Sequence, residues 1–289
     1  MRWADLESGQ RAREWFHGLT APAGMWVVVR VDGRGFSRFT EERFDKPFDA
    51  RFSRLMVETA QALLTEFGAR YAYTESDEIS IVLDPRHDMF GRGVEKVVSI
   101  SAGVASAAFT HAAGEPAHFD SRIWLGAGVG DVVDYVSWRQ ADATRCALNG
   151  WCYWTLRKAG ASRREATRRL EGTTTSAKNE LLYQHGINFD DLPAWQRRGI
   201  GLWWEDHTRS GRDPVRGVEV TTTRRRVHIE HELPMKDAYR ALVTRLIAGS
   251  PEAAPQDGAR EAVASQDSAR EVAPQEGARQ DDVPQDGAP

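Results

Sequence analysis

The sequence contains little cysteine and no long apolar segment. Only Cys146 and Cys152 occur among 289 residues, and they do not form a C-x-x-C pair. A disulfide framework or a structural zinc site is therefore not expected, and a reducing cytoplasm fits best. No apolar run approaches the roughly 20 residues of a membrane span. Residues 1–20 carry acids and lack an apolar h-region, so we predict no signal peptide and no membrane partner.

A strong charge of either sign is also missing from most of the chain. The last 39 residues hold nine acids and three arginines, whereas the other 250 hold 33 acids and 35 lysines and arginines. The overall charge therefore neither favours nor excludes a nucleic-acid partner. Residues 251–289 repeat a phrase of about ten residues, such as PQDGAREAVA, and contain no aromatic residue. We predict that this tail is disordered, because it has almost nothing to bury.

Strand and helix patterns alternate through the remaining sequence. Apolar and β-branched runs predict strands at Met25–Val31, Tyr71–Thr74, Ile79–Leu83 and Trp124–Gly130. Helical spacing predicts helices at Phe48–Phe67, Val94–His111, Asp131–Ala159 and Arg163–Leu170. The order strand, helix, hairpin, helix, strand is the β-α-β-β-α-β order of a ferredoxin-like layer. We therefore predict an α+β fold with further helices and strands.

Acidic residues stand beside two of the predicted strands. Asp32 directly follows MWVVVRV, and Asp77 and Glu78 lie between YAYT and ISIVL. Because the first strand and the hairpin are neighbours in such a layer, Asp32 and Asp77 can approach each other. Two close carboxylates repel unless a cation joins them, and Mg²⁺ prefers such oxygen ligands. The alternative is that strand-end acids are solvated turn residues.

A glycine-containing loop, Gly33 to Arg38, follows the first acid. Glycines let backbone N–H groups approach phosphates, and consecutive N–H groups bind anions. A lone G-x-G is weak evidence of a phosphate site, and most such loops are plain turns.

Four blocks identify a family. They are VVVRVDGRGFSRFTEERFDKPFDARFSRLM, YAYTESDEISIVL, YVSWRQAD and EGTTTSAKNELLY, within about residues 25–185. In order and spacing they resemble the histidine-tRNA guanylyltransferase family. The resemblance implies a polymerase-like palm that adds nucleotides to tRNA 5′ ends in the 3′-to-5′ direction. It also implies two Mg²⁺ ions, GTP and ATP as substrates, and a homotetramer. We assign the palm core to residues 1–135, the helical, RNA-contacting part of the same catalytic unit to residues 136–250, and the tail to residues 251–289.

The same resemblance implies roles for individual residues. Asp32 and Asp77 would hold both metals, the Gly33 carbonyl would be a further ligand, and Glu78 would assist. The nucleotide triphosphate would lie against Gly33, Arg34, Gly35, Phe36, Ser37 and Ser76. Further polar positions near the nucleotide or its phosphates would be Lys46, Arg92, Lys96, Lys178 and Asn179. For Lys46, Arg92 and Lys96 the alternative is solvated surface charge.

One block departs from the family. After WRQAD, the eukaryotic enzymes carry His-Ile-Asn-Asn-Leu-Tyr-Asn, whereas this chain reads ATRCALNGW at residues 143–151. The match is therefore closer to bacterial and archaeal relatives, and we predict template-dependent repair of tRNA 5′ ends. The main alternative is a dedicated tRNA-His guanylyltransferase. A palm-type nucleotide cyclase and a non-catalytic RNA-binding module are further alternatives.

Clusters of arginine predict RNA contact. They are Arg163-Arg164, Arg168-Arg169, Arg197-Arg198 and Arg224 to Arg226. Such clusters can neutralise phosphates. For the first two, which share one helix face, the alternative is a solvated surface with Glu165 and Glu171 as ion-pair partners.

Overall fold

The apolar run that follows Met25 forms a strand that lies second from one edge of a six-stranded sheet. The computed structural model describes residues 2–212 and 217–249. Its strands are β1 Trp26–Gly33, β2 Tyr71–Glu75, β3 Glu78–Leu83, β4 Phe119–Gly126, β5 Ile200–Arg212 and β6 Glu219–Glu230. Its α-helices are α1 Trp3–Arg11, α2 Phe36–Arg43, α3 Ala50–Glu66, α4 Val94–Ala113, α5 Val129–Lys158, α6 Arg163–Leu170, α7 Thr175–Gln184, α8 Ala194–Arg198 and α9 Lys236–Ala248.

The strand order confirms the predicted layer. The sheet runs β4-β1-β3-β2-β5-β6, and all of its pairs are antiparallel. The first four strands thus form the β-α-β-β-α-β arrangement, with β1 beside β3 as expected. In this register Asp32 is opposite Glu78 on β3 and opposite Asp120 on β4. The end of β1 and the turn between β2 and β3 therefore meet at one end of the sheet.

Alternation along β1 separates two layers of core. Val27, Val29 and Val31 are buried in the cluster that contains α3 and α4. Val28 belongs to a second cluster, with residues of α5 and α9. Because side chains alternate along a strand, Arg30 and Asp32 share the side of Val28. A third apolar cluster joins the second half of α5 to α6 and α7.

Several boundaries differ from the prediction. The strand expected at Trp124–Gly130 is β4, which starts at Phe119 and ends at Gly126. In its first half the exposed charged residues Asp120 and Arg122 alternate with Phe119, which is buried, and Ser121, which is partly buried. Charged residues are typical of an edge strand, and they make this strand weakly apolar in sequence. Asp131 accepts hydrogen bonds from the N–H groups of Ala127 and Gly128, so the helix starts early.

The C-terminal part of the fold was not predicted in detail. No elements were assigned after Leu170, where the structure has α7, α8, β5, β6 and α9. Across the part of the chain that the structure describes, no helix has the length and apolar character to span a bilayer. The predicted disordered tail, residues 251–289, lies outside the described residues, and the boundary at residue 135 stays a prediction.

Candidate active site

A backbone hydrogen bond joins the two predicted acidic segments. The N–H of Gly33, which directly follows Asp32, donates to the carbonyl oxygen of Asp77 at 2.9 Å. Asp77 lies in the two-residue turn between β2 and β3, whose other residue, Ser76, has a φ of 52°. The Ser76 hydroxyl donates to Oδ1 of Asp77 at 3.0 Å. This end of the sheet therefore holds Asp32 and Asp77 on adjacent, mutually bonded segments.

The glycine loop leads directly into the N-terminus of α2. Gly35 precedes that helix with a φ of 74°, a conformation that L side chains rarely adopt. At Gly33 a Cβ atom would lie 2.5 Å from the buried ring of Phe36, so the backbone packs closely on this ring. Unpaired N–H groups and the helix dipole make a helix N-terminus favourable for anions. The loop can therefore receive phosphate oxygens.

Next to this loop is a cavity of about 400 Å³. One wall comes from α2 and the segment that leads to α3, and the opposite wall comes from α5. The volume is within the usual range for small-molecule sites. The predicted nucleotide-binding residues that line it are Phe36, Ser37, Lys46, Ser76 and Asp77. Asp32, Gly33, Arg34 and Gly35 form the loop beside the cavity and do not line it.

Lys46 places a partly buried cation in this cavity. Its Nζ donates to Oγ1 of Thr40, which in turn donates to the Phe36 carbonyl. Burial lowers the pKa of Lys46, while the charges of Glu41 and Asp77 act in the opposite direction. The side chain is thus near both the start of α2 and Asp77, where it can neutralise a phosphate.

Two carboxylates at this turn have raised pKa values. Burial, followed by the charge of Asp32, raises the pKa of Asp77. Burial and the charges of Glu78 and Asp77 raise the pKa of Glu75 to about 8. Asp32 and Asp77 are therefore close enough to repel, and a cation between them would relieve that repulsion.

The protein oxygen atoms at this site fit an Mg²⁺ ion whose other ligands are waters and phosphate oxygens of the substrate. Among residues 2–212 and 217–249, no group of three or more His, Cys, Asp or Glu side chains can hold a metal alone. Mg²⁺ commonly takes one or two carboxylates, keeps several waters and binds substrate phosphates. Asp32, Asp77 and the Gly33 carbonyl are consistent with that pattern.

Glu78 is engaged elsewhere. Its two carboxylate oxygens accept hydrogen bonds from Arg139 of α5, and Arg30 lies 3.9 Å away. The structure thus directs this carboxylate toward α5, and its expected assistance to the metal site stays a prediction.

Four residues that were predicted to lie near the nucleotide or its phosphates do not line the cavity. The Arg92 guanidinium donates to five backbone carbonyls, those of Ala21, Pro22, Met25, Pro85 and His87. It thus lies where β1 begins, at the end of the sheet opposite Asp32, and Lys96 follows it in the first turn of α4. Lys178 and Asn179 lie on α7, where the Lys178 carbonyl accepts from the Cys152 thiol.

The predicted basic clusters also separate into two groups. Arg197 donates to the Leu192 carbonyl and Arg198 to the Leu233 carbonyl, so this pair helps to hold the chain together. Arg224, Arg225 and Arg226 are exposed on β6, and α6 carries Arg163, Arg164, Arg168 and Arg169 at the surface.

Several cavity residues were missed by the sequence analysis. Asp49, Tyr153, Trp154 and Trp195 line the cavity, and so does Glu75. Glu75 lies in the acidic hairpin tip that the sequence analysis identified, so its position was a usable signal. Tyr153 and Trp154 come from α5 and Trp195 from α8, and only the tertiary fold brings the two helices to one cavity.

Comparisons with known proteins agree with this geometry. The family model described as tRNAHis guanylyltransferase matches residues 10–126, and the model "Thg1 C terminal domain" matches residues 130–246. A "Probable tRNA(His) guanylyltransferase" of Dictyostelium discoideum is 34% identical over 220 residues, which cover 72% of this chain and 84% of the relative. A tRNA(His) guanylyltransferase of Debaryomyces hansenii is 35% identical over 204 residues, or 65% and 77% of the two chains.

Solved structures show the same similarity. A bacterial tRNA(HIS) guanylyltransferase (Thg1)-like protein in complex with ATP has a TM-score of 0.66 and 25% identity, covering 84% of this chain and 99% of that one. The Saccharomyces cerevisiae tRNA(His) guanylyltransferase has a TM-score of 0.61 and 26% identity, covering 66% and 90%. The chain therefore belongs to the tRNAHis guanylyltransferase family and is a nucleotidyltransferase with the α+β palm of that family.

Proposed function

We propose that this chain adds guanosine to the 5′ end of tRNA-His. The observation that carries the proposal is the Gly33–Asp77 hydrogen bond, which holds two repelling carboxylates beside a cavity of nucleotide size. Relatives named tRNA(His) guanylyltransferase support guanosine as the added nucleotide. Solved complexes of a bacterial Thg1-like protein with ATP and with GTP support these two triphosphates as substrates.

Growth at a 5′ end fixes the direction of the chemistry. The 3′-hydroxyl of the incoming nucleotide must attack the 5′ phosphoryl group of the RNA. Pyrophosphate leaves if that end is a triphosphate, and AMP leaves if a monophosphate end has first been adenylylated by ATP. GTP and ATP therefore have separate roles as substrates.

The residues around the cavity match these requirements. The N-terminus of α2 and Lys46 are placed to bind phosphates of the triphosphate. Asp32, Asp77 and the Gly33 carbonyl would hold two Mg²⁺ ions, which supply charge stabilisation at the reacting phosphoryl oxygens. Aromatic side chains of Tyr153 and Trp154 line the wall from α5 and exclude water there. Assembly as a tetramer remains a prediction.

The ribbon formed by β5 and β6 offers one RNA contact. From Asp206 to Arg212 the residues of β5 are exposed, and they pair with the stretch Glu219 to Arg225 of β6, where Glu219 and the residues from Thr221 to Arg225 are exposed. Arg209, Arg224 and Arg225 lie on this part of the ribbon. An exposed two-stranded ribbon with several arginines favours contact with RNA phosphates.

Template-dependent tRNA repair is the second candidate. It is favoured by the first turns of α5 that follow the WRQAD block. Thr144 donates to the Gln140 carbonyl, and Arg145 pairs with Asp142 at 2.6 Å. These side chains are used within α5 and do not present the imidazole and amides of the eukaryotic block. A bidentate base contact discriminates by roughly 1–3 kcal/mol, so its absence favours base choice by pairing with the opposite strand.

One experiment separates the two candidates. A tRNA that lacks its first 5′ nucleotide and carries a 5′ triphosphate is offered with each of the four bases opposite the vacant position. Incorporation of each labelled triphosphate is then measured with Mg²⁺ present. Guanosine at equal rates opposite all four bases supports a dedicated guanylyltransferase, and incorporation of the complementary base supports repair. No incorporation of any nucleotide would contradict both.

A further inference from the structure

We propose that α6 and the end of α5 form a surface that holds the phosphate backbone of the RNA beside the mouth of the cavity. The inference rests on the proposed function, because it names where the RNA substrate approaches the site. This α6 surface consists of six cations: Arg157, Lys158, Arg163, Arg164, Arg168 and Arg169.

Helix α6 has an apolar side that packs and a basic side that faces solvent. Ala166 and Leu170 are buried in the cluster that joins α6 to α5, whereas Arg164 and Arg168 are exposed. Arg164 and Arg168 are four residues apart and therefore share one face. Like charges at that spacing destabilise a helix. Their arrangement is thus explained better by an external anion than by the folding of α6.

The acids of this segment do not neutralise the arginines. In the described part of the chain, Arg164, Arg168 and Arg169 form no ion pair, although Glu165 and Glu171 are close in sequence. The structure therefore shows an exposed basic face on which Glu165 and Glu171 do not act as ion-pair partners within the described residues. At the end of α5, the side chain of Arg157 has a buried Nε atom that has no hydrogen-bond partner among residues 2–212 and 217–249.

Arg163 shows where the surface leads. Its Nη2 donates to Oε1 of Glu41 on α2 at 2.6 Å. Glu41 lines the cavity whose other lining residues include Lys46 and Asp77. A helix of eight residues is about 12 Å long, enough to contact more than one phosphate. An RNA strand bound along α6 would therefore reach the cavity from the side of α2.

The chemistry of the side chains favours phosphate over other anions. Five of the six cations are arginines, whose planar guanidinium binds phosphate oxygens in a bidentate manner. Phosphates of an RNA backbone also release counterions when they are neutralised, so binding must weaken steeply with salt. That dependence provides the test.

The test compares the full chain with the double variant Arg164→Ala/Arg168→Ala. The matched control is Arg54→Ala/Arg245→Ala, which removes two other exposed helical arginines, from α3 and α9. Binding of a 3′-labelled tRNA is measured by anisotropy from about 0.05 to 0.3 M salt, and GTP binding is measured in parallel. For the α6 variant we expect the salt slope of log K to fall by about one per lost contact, and the Kd for tRNA to rise about tenfold or more. GTP binding and the control variant should remain as in the parent protein.

Each outcome has one meaning. An unchanged slope in the α6 variant, or an equal fall in the control, overturns the α6 surface even if the parent protein transfers nucleotides. A reduced slope together with retained GTP binding supports it, even if no transfer is found and the proposed function fails. Equal binding of polyglutamate and tRNA by the parent protein, with the same slope, overturns the assignment to RNA phosphate.

Discussion

The guanidinium of Arg139 donates one hydrogen bond to each carboxylate oxygen of Glu78, and both contacts measure 2.7 Å. The two side chains are 11% and 14% exposed, so the pair is largely removed from water. Arg139 also contacts Asp142 at 3.3 Å and lies over the ring of Trp138 at 4.6 Å. The pair thus fixes α5 over the start of β3, directly beside the turn that carries Asp77.

Replacing Arg139 with methionine should destabilise the protein strongly. The Glu78 carboxylate would remain buried without its bidentate partner, and breaking such a pair costs about 3–5 kcal/mol. Urea unfolding at neutral pH measures the loss. The double variant Arg139→Met/Glu78→Gln should recover a large part of it, because no unpaired charge remains. A single variant as stable as the parent protein would show that the pair contributes little.

Removing either acid of the central pair should abolish nucleotide transfer without unfolding the chain. Burial and, after it, the charge of Asp32 raise the Asp77 pKa, and Asp32→Asn or Asp77→Asn relieves the repulsion between the two carboxylates, so stability should be equal or greater. Transfer should fall by about three orders of magnitude or more, because a proposed metal ligand is lost. The measurements are single-turnover rates and thermal melts, with Asp120→Asn on β4 as a matched control. Activity near that of the control in either variant would refute the metal assignment.

Gly33→Ala should weaken nucleotide binding through the backbone. The new Cβ would lie 2.5 Å from the Phe36 ring, so either that ring or the loop must move. The Gly33–Asp77 hydrogen bond and the start of α2 would both be disturbed. We expect the Kd for GTP, measured by calorimetry, to rise about tenfold or more. Gly103→Ala on α4 is a control, since this residue does not line the cavity and a Cβ there meets nothing within 4 Å; equal affinities for the two variants would contradict the close-packing argument.

Asp49 should stabilise α3 in a pH-dependent manner. Its carboxylate accepts hydrogen bonds from the Arg51 guanidinium and from the backbone N–H groups of Asp45 and Arg51, and these contacts lower its pKa to about 2. Because the folded pKa is below the ordinary value near 4, the contribution is complete above pH 4 and is lost as pH falls through 2. Asp49→Ala should cost about 1 kcal/mol at pH 7 in urea unfolding. The difference in unfolding free energy between Asp49→Ala and the parent protein should shrink between pH 4 and pH 2. A constant difference would show that the charge of the Asp49 carboxylate does not stabilise the start of α3.

The sequence predicted the elements that depend on local apolar patterns and their turns. β1 and the β2–β3 hairpin are continuous apolar runs bounded by polar turn residues, so the sequence alone predicts that Asp32 can approach Asp77. Arg92 illustrates the limit, since three of its five carbonyl partners lie in the distant segment from Ala21 to Met25, and an arginine in a polar context resembles any surface cation. Trp154 is similar, because its place in the cavity wall depends on how α5 crosses the sheet.

The hydrogen bond between Gly33 and Asp77 closes a loop of chain that contains α2 and α3. One wall of the cavity is therefore formed by the segment that leaves the sheet after Asp32 and rejoins it at Tyr71, before Asp77. Changes of length or sequence between residues 47 and 70 can reshape the cavity while Asp32, Asp77, Lys46 and the start of α2 keep their places. The cavity residues that follow Lys46, such as Phe48, Phe52 and Met56, are therefore the natural target for redesigning nucleotide preference.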